Sequence, residues 1–236
     1  MGGPNAAFPA TRWSVIRDAR QPQSEALNAL CQAYWKPVYA WIRASRAFGN
    51  EDAKDLTQEF FAELVDGGLL ARFTAVRGSF RAYLRGALDL FLRERRRADH
   101  ALKRGGGRRI VSLADEEVRA VDATATRADA TIESAFDHEW INAVLAMAVA
   151  DLRAELARAG RETWFAVFER HELTPLAGEP ETYAQLADAF GLKPTDVSNY
   201  LVYGRRRLRE LVVARIADTV ADEQDLAREV ASLFPS

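Results

Sequence analysis

Residues Tyr183–Val202 read YAQLADAFGLKPTDVSNYLV, and the spacing of their apolar, small and turning residues is typical of a helix-turn-helix. Ala187 provides a small residue where two helices cross, and Gly191 can adopt the left-handed conformation that a tight turn requires. Pro194 suits the opening of the second helix. The positions that this motif buries carry large side chains, namely Leu186, Phe190, Leu192, Val197 and Tyr200. The stretch therefore predicts two crossed helices joined by a turn.

The second helix of this motif has an outward polar face, and such a face can reach base edges in the major groove of DNA. Asn199 can pair with adenine through two hydrogen bonds, and the arginines that continue the helix suit phosphate contacts. The alternative is a helical hairpin whose polar face is merely solvated. The predicted DNA-binding residues are Lys193, Thr195, Ser198, Asn199, Val202, Arg205, Arg206 and Arg207.

Helical periodicity extends over most of the chain, so the predicted fold class is all-α, with two small helical domains joined by a flexible linker. Pro37 is expected to kink or split the first helical block, and Asn50 is a good N-cap for the second helix. Gly105-Gly106-Gly107 opens a stretch of linker composition. The predicted organisation is an N-terminal extension (1–23), a first domain (24–104), a linker (105–131), a second domain (132–219) and an acidic C-terminal tail helix (220–236).

Charge is strongly segregated along this chain of 236 residues, although its net charge is only −2. Between Arg81 and Arg109 there are ten Lys or Arg against three Asp or Glu, which gives a local balance of +7. Four more arginines lie within 205–209, whereas the last segment is acidic. Basic patches on a nearly neutral chain are compatible with binding a polyanion. Neither a secretory signal nor a membrane-spanning run is found, so a soluble, cytoplasmic protein with no membrane partner is expected.

Three stretches resemble conserved regions of the bacterial sigma-70 factors, specifically the short extracytoplasmic-function (ECF) type with two domains. The sequence EDAKDLTQEFF at Glu51–Phe61 resembles the second conserved region, and FRAYL at Phe80–Leu84, followed by Arg93–Arg97, resembles the stretch that melts and reads the −10 element. Tyr183–Leu211 is similar to the region that reads the −35 element. The resemblance covers nearly the whole chain in the same order.

This resemblance implies a sigma factor that binds core RNA polymerase and promoter DNA, and a regulator such as an anti-sigma factor as a further partner. It assigns the helix-turn-helix residues given above to the −35 element. The implied −10 residues are Arg77, Ser79, Arg81, Tyr83 and Arg85. The implied polymerase-binding residues are Asp52, Asp55, Gln58 and Glu59, of which the three acids share one helix face.

Two features depart from the family pattern. Asp89 stands where the family commonly has Asn, so either Asp89 turns inward to an arginine or the −10 preference is unusual. The segment His171–Glu181 is longer than the family's short loop. In the C-terminal tail, an apolar stripe predicts a helix that packs at the end of the fold or against a partner. Its acidic charge leaves a third alternative, in which the helix folds back over the basic helix and masks it. The stripe consists of Leu226, Val230 and Leu233.

Other functions remain open at this stage. An enzyme is disfavoured because the three histidines have no metal-site spacing and no phosphate-binding loop is found, so no catalytic residue, metal or cofactor is predicted. A helix-turn-helix regulator that does not engage polymerase is the main alternative. An interaction protein whose DNA-facing surface has decayed is a third. Cys31 lies on an apolar stripe and is predicted to be a core thiol.

Overall fold

The computed structural model describes residues 25–66, 68–72, 79–99, 115–128, 130–174, 181–220 and 222–233. Within these ranges the chain is helical, apart from turns and one isolated antiparallel bridge between Ser79 and Val220. This confirms the predicted all-α class. The helices are α1 (Glu25–Ala44), α2 (Asn50–Val65), α3 (Leu69–Arg72), α4 (Phe80–Asp99), α5 (Asp115–Ala125), α6 (Ile132–Arg158), α7 (Glu162–Phe168), α8 (Tyr183–Phe190), α9 (Pro194–Ala217) and α10 (Glu223–Leu233).

Helix α1 runs unbroken through Pro37, so of the two expected effects of this proline the split is excluded, and the kink stays a prediction. Its neighbours Trp35 and Val38 are buried, and this packing offsets the hydrogen bond that proline removes. The N-cap prediction for α2 was also wrong. Gly49 occupies that position, and the Asn50 amide instead donates a hydrogen bond to the Tyr39 hydroxyl at 3.0 Å.

Part of the linker that was predicted to be flexible folds as helix α5. Val118, Val121 and Ala125 lie at helical spacing and are buried. The carboxylate of Asp122 accepts hydrogen bonds from the Tyr39 hydroxyl, at 3.1 Å, and from the Arg43 guanidinium. These contacts attach α5 to α1. The glycines of the predicted linker lie outside the described residues, as does the predicted N-terminal extension.

The described residues form two compact units. The first unit comprises those up to Ala143 together with those from Ile216 onwards, and the second comprises Val144–Arg215. The boundaries fall inside α6 and α9, whereas the predicted domain limits keep both helices whole. The core of the second unit contains Leu152, Leu156, Phe165, Val167, Phe168, Leu186, Ala187, Val197 and Leu201.

A glycine allows α7 and α9 to pack closely in the second unit. A Cβ atom placed on Gly204 would lie 2.4 Å from the Cδ2 atom of the Phe168 ring, far inside van der Waals contact. Phe168 is itself buried, with 1% of its surface exposed, so its ring has little room to move. A small residue is therefore required here, although nothing in the sequence periodicity singles it out.

Substitution Gly204→Ala is expected to lower the free energy of unfolding by about 1–3 kcal/mol, because overpacking outweighs the better helix propensity of alanine. Gly86→Ala is the matched control, since Gly86 also lies inside a helix but a Cβ there meets nothing within 4 Å. This control should raise the free energy by up to about 1 kcal/mol. Urea denaturation followed by circular dichroism measures both, and equal stabilisation by the two substitutions would refute the close packing.

Candidate nucleic-acid interface

The helix-turn-helix is defined by local hydrogen bonds at both ends of α8. Thr182 is the N-cap, and its hydroxyl accepts from the Gln185 backbone N–H while the Gln185 side chain accepts from the Thr182 backbone N–H. At the other end Gly191 has φ +66°, and the Leu192 N–H donates to the Ala187 carbonyl at 2.8 Å. The predicted turn at Gly191 is thus confirmed.

Helix α9 begins at Pro194, as expected, and the backbone N–H of Lys193 donates to the Asp196 carboxylate at 3.2 Å. The crossing of α8 and α9 is filled by Ala187 and Val197, with 2% and 0% of their surfaces exposed. Such packing gives the second helix a fixed orientation on the first. The side chains of α9 that face away from this crossing are consequently held in place by a rigid scaffold.

The predicted reading face of α9 lies at the surface. The side chains of Thr195 and Asn199 are exposed, and Ser198 is half-buried. Val202 has 60% of its surface exposed, which is unusual for a large apolar residue. An exposed valine beside an exposed asparagine matches what major-groove readout needs, namely an apolar contact for a thymine methyl group and an amide for adenine.

The arginines after this face differ in their partners. Arg207 binds the carboxylate of Glu155 on α6 through Nε and Nη2, each at 2.9 Å, and Nη1 binds Glu210 at 2.8 Å. The hydrogen bond from Arg207 holds the pKa of the Glu155 carboxyl below its usual value. Arg207 therefore connects α9 to α6 within the second unit. The sequence had predicted that it contacts a phosphate. Arg206 is 69% exposed and lies 3.9 Å from Glu210.

Arg205 contacts the segment that departs from the family pattern. Its Nη2 lies 2.6 Å from a carboxylate oxygen of Glu172, which belongs to a π-helical turn at Glu169–Leu173. From the same turn, Arg170 makes two hydrogen bonds of 2.6 Å to Glu181. The described part of this segment is thus tied to α9 by the Glu172–Arg205 ion pair, and residues 175–180 lie outside the described ranges.

The predicted −10 residues at the start of α4 are engaged within the protein. Ser79 is buried, and its hydroxyl accepts from the Ala82 backbone N–H at 3.1 Å, as an N-cap does. The Tyr83 hydroxyl donates to the Leu69 carbonyl at 2.6 Å. These contacts fix the start of α4, whereas side chains that bind a DNA strand were expected to be exposed. Arg77 lies outside the described residues.

Arg81 is the most deeply buried of the predicted DNA contacts, with 5% of its surface exposed. Its Nε lies 2.5 Å from Glu229 on α10, and its Nη1 lies 2.5 Å from Asp137 on α6. Its guanidinium also lies 5.3 Å from the ring centroid of Trp140. Arg85 pairs with the same Asp137 carboxylate. In this conformation Arg81 is enclosed by protein, which sequence periodicity does not reveal.

A basic groove lies farther along α4. It encloses about 520 Å³ between α4, the end of α1 and the start of α6, all in the first unit. Asp89 lies in this groove and pairs with Arg93 at 2.5 Å, but the pair is at the surface, with half of the Asp89 side chain exposed, and is not the inward turn that was expected. Its charge is nonetheless compensated. The lining residues are Trp41, Ser45, Arg85, Gly86, Asp89, Leu92, Arg93, Arg96, Ile132 and Glu133.

Helix α2 presents an acidic face beside its buried one. Asp52 and Asp55 are exposed, whereas Leu56 and Phe60 are buried as expected. Glu59 is half-buried and lies 3.1 Å from Nε of Arg95 on α4. Gln58 is half-buried too. The exposed part of the predicted polymerase-binding face is thus narrower than predicted and centres on Asp52 and Asp55.

Cys31 is a buried thiol in the core, as predicted, and burial raises its pKa to about 11. Within the ranges that the structure describes, no three His, Cys, Asp or Glu side chains gather as metal ligands. No described helix has both the length and the apolar character to cross a membrane. Comparison with known proteins finds no matching family model, curated protein or solved structure.

The two arginines Arg206 and Arg207 are expected to respond differently to replacement by alanine. Arg206→Ala should lower affinity for duplex DNA and reduce the slope of log affinity against log salt by about one, as loss of one phosphate contact does. Arg207→Ala should chiefly lower the free energy of unfolding, by about 1 kcal/mol, because its pair with Glu155 is partly solvated. Fluorescence anisotropy at several salt concentrations and urea denaturation measure the two effects. Equal losses of DNA affinity would contradict this division.

Proposed function

We propose that this chain is an alternative sigma factor, a subunit that binds core RNA polymerase and directs promoter recognition and transcription initiation. The observation that carries the proposal is the helix-turn-helix of α8 and α9, with its capped first helix, its glycine turn and its exposed reading face. The resemblance of Glu51–Phe61 to the second conserved region of sigma factors supports the polymerase-binding part. Such a subunit acts in the cytoplasm.

In this proposal α9 enters the major groove of upstream duplex DNA. Asn199 and Val202 read base edges, while Lys193, Thr195 and Arg206 contact the backbone. All five side chains are exposed, so they reach DNA without repacking the core. Arg205 joins them only after its pair with Glu172 opens, whereas Arg207 remains a brace.

The opened strand at the −10 element is assigned to the basic groove along α4. Arg96 is exposed there and supplies positive charge, and exposed Arg93 joins it when its surface pair with Asp89 opens. Leu90 adds an apolar surface on the same helix, with 58% of its area exposed. Single-stranded DNA is commonly held by a basic track with apolar or aromatic platforms for the bases. Leu90 was missed in the sequence because it falls between the buried positions of an amphipathic helix.

The acidic face of α2 is assigned to core polymerase. Asp52 and Asp55 project from a helix whose opposite side is anchored by Phe60 and Phe61, both fully buried. A fixed acidic face suits a basic partner surface, because charge complementarity speeds encounter and orients docking. A helix-turn-helix regulator that acts without polymerase has no use for such a face.

Reconstituted transcription tests the function as a whole. Purified protein is added to sigma-free core polymerase with templates from the region upstream of its own gene, and promoter-dependent transcripts are expected. Core polymerase alone is the control. Duplex DNA binding without transcripts, on all templates and with no binding to core, would favour the regulator instead.

Substitution Asp55→Arg is expected to weaken binding to core polymerase by at least about tenfold, because it reverses one charge at the centre of the docking face. Glu223→Arg is the charge-matched control, since Glu223 is exposed on α10, and it should bind core like the unaltered protein. Size-exclusion chromatography and anisotropy with labelled protein measure the affinity. Unchanged core binding by Asp55→Arg would show that the docking face lies elsewhere.

Substitution Asn199→Ala is expected to relax base preference at one position of the upstream element, with a loss of discrimination of about 1–3 kcal/mol. The reason is that the amide can pair with one base only in the register that α9 fixes. Arg206→Ala is the matched control, and it should lower affinity evenly for all sequences. Binding to a library of duplexes that differ at single positions measures both, and an unaltered preference after Asn199→Ala would exclude this residue from readout.

A further inference from the structure

Helix α10 is held against the start of α4 by a charged cluster. Glu229 of α10 and Asp137 of α6 enclose the guanidinium of Arg81, and the Ser232 hydroxyl accepts a hydrogen bond from Arg81 Nη2 at 3.0 Å. One turn farther along α4, Arg85 shares Asp137. Two carboxylates thus bind two arginines. Backbone phosphates of a nucleic acid bind arginine with similar charge-assisted hydrogen bonds.

The attachment of α10 has the features of a contact that can open. The helix is short, below the length at which an isolated helix is stable, so it depends on its docking. Its apolar contribution is small, with Leu226 and Leu233 as its two buried large apolar residues. A buried ion pair adds little net stability, because desolvation offsets the attraction. Its role is to specify which surface α10 occupies.

With α10 held against α4, one polar group near the cluster has no hydrogen-bond partner. Among the described residues, Nε of Arg85 is buried and has no hydrogen-bond partner. An unpaired buried donor disfavours the state that contains it. A ligand with several acceptor oxygens could replace Glu229 at Arg81 and also supply the acceptor that Nε of Arg85 lacks.

We infer that α10 is an acidic latch that covers Arg81 in the free protein, next to Arg85, and is displaced from Arg81 by the phosphates of single-stranded DNA. The inference rests on the proposed function, because it treats the start of α4 as part of the strand-binding surface. The latch is acidic, because its basic residue Arg228 is outnumbered by Asp222, Glu223, Asp225 and Glu229. It therefore repels the strand that competes with it. Arg81 is accordingly a strand contact only in the open state.

Substitution Glu229→Gln removes the carboxylate charge at nearly constant shape, so it should open the latch. The full-length variant is expected to bind a labelled single-stranded oligothymidylate roughly three to ten times more tightly, as the competent fraction of molecules rises. Glu116→Gln removes the same charge at an exposed site on α5, outside the latch, and is the control that should bind like the unaltered protein. Equal or weaker binding by Glu229→Gln, or no strand binding by any of the three proteins, overturns the latch.

Hydrogen exchange of the unaltered protein gives a second measurement that does not depend on the variant folding. Saturating oligothymidylate should accelerate exchange of the α10 amides while the α2 amides stay protected. Unchanged or slower exchange in α10 overturns the latch. The sigma-factor proposal is judged separately by transcription with core polymerase. Full transcription together with a failed latch test would reject the latch alone, whereas absent transcription would reject the function.

Discussion

The buried guanidinium of Arg81 is the constraint on which the first unit depends. A charge that is 95% removed from solvent is unfavourable unless carboxylates and hydrogen-bond acceptors surround it, so Glu229, Asp137 and Ser232 must all reach it. These residues come from α10 and α6, far from α4 in sequence. Satisfying one side chain therefore fixes where three helices meet, and the bridge between Ser79 and Val220 lies at the same place.

The second unit uses the same kind of constraint in a milder form. Glu155 accepts hydrogen bonds from Arg207 and, at 3.4 Å, from the Tyr203 hydroxyl, both on α9. The pair is about one third exposed, so its contribution is screened and smaller than that of a buried cluster. It nonetheless links α9 to α6. An arginine of the basic run thus helps to hold the helix that carries Asn199.

Local sequence signals predicted the helices well and the ion pairs poorly. The bounds of α4 and α8 and the turn at Gly191 follow from capping residues and periodicity, which act within a few residues. The partner of Arg81 lies 148 residues away and leaves no periodic trace, so a buried arginine looked the same as an exposed one. Helix α5 is not evident from the sequence because its small and charged residues conceal a short apolar stripe. Gly204 was missed because close approach is a property of two helices.

Arginine content alone is therefore a poor guide to which side chains of this chain are accessible to a polyanion. The 32 basic residues are nearly matched by 34 acidic ones, and the folded protein brings many of them together as pairs. Paired arginines divide into those enclosed with their carboxylates, such as Arg81, and those held loosely at the surface, such as Arg206. A nucleic acid competes easily with the second kind, because screened surface pairs contribute little. It reaches the first kind only by displacing a helix, which makes binding there conditional on a conformational change.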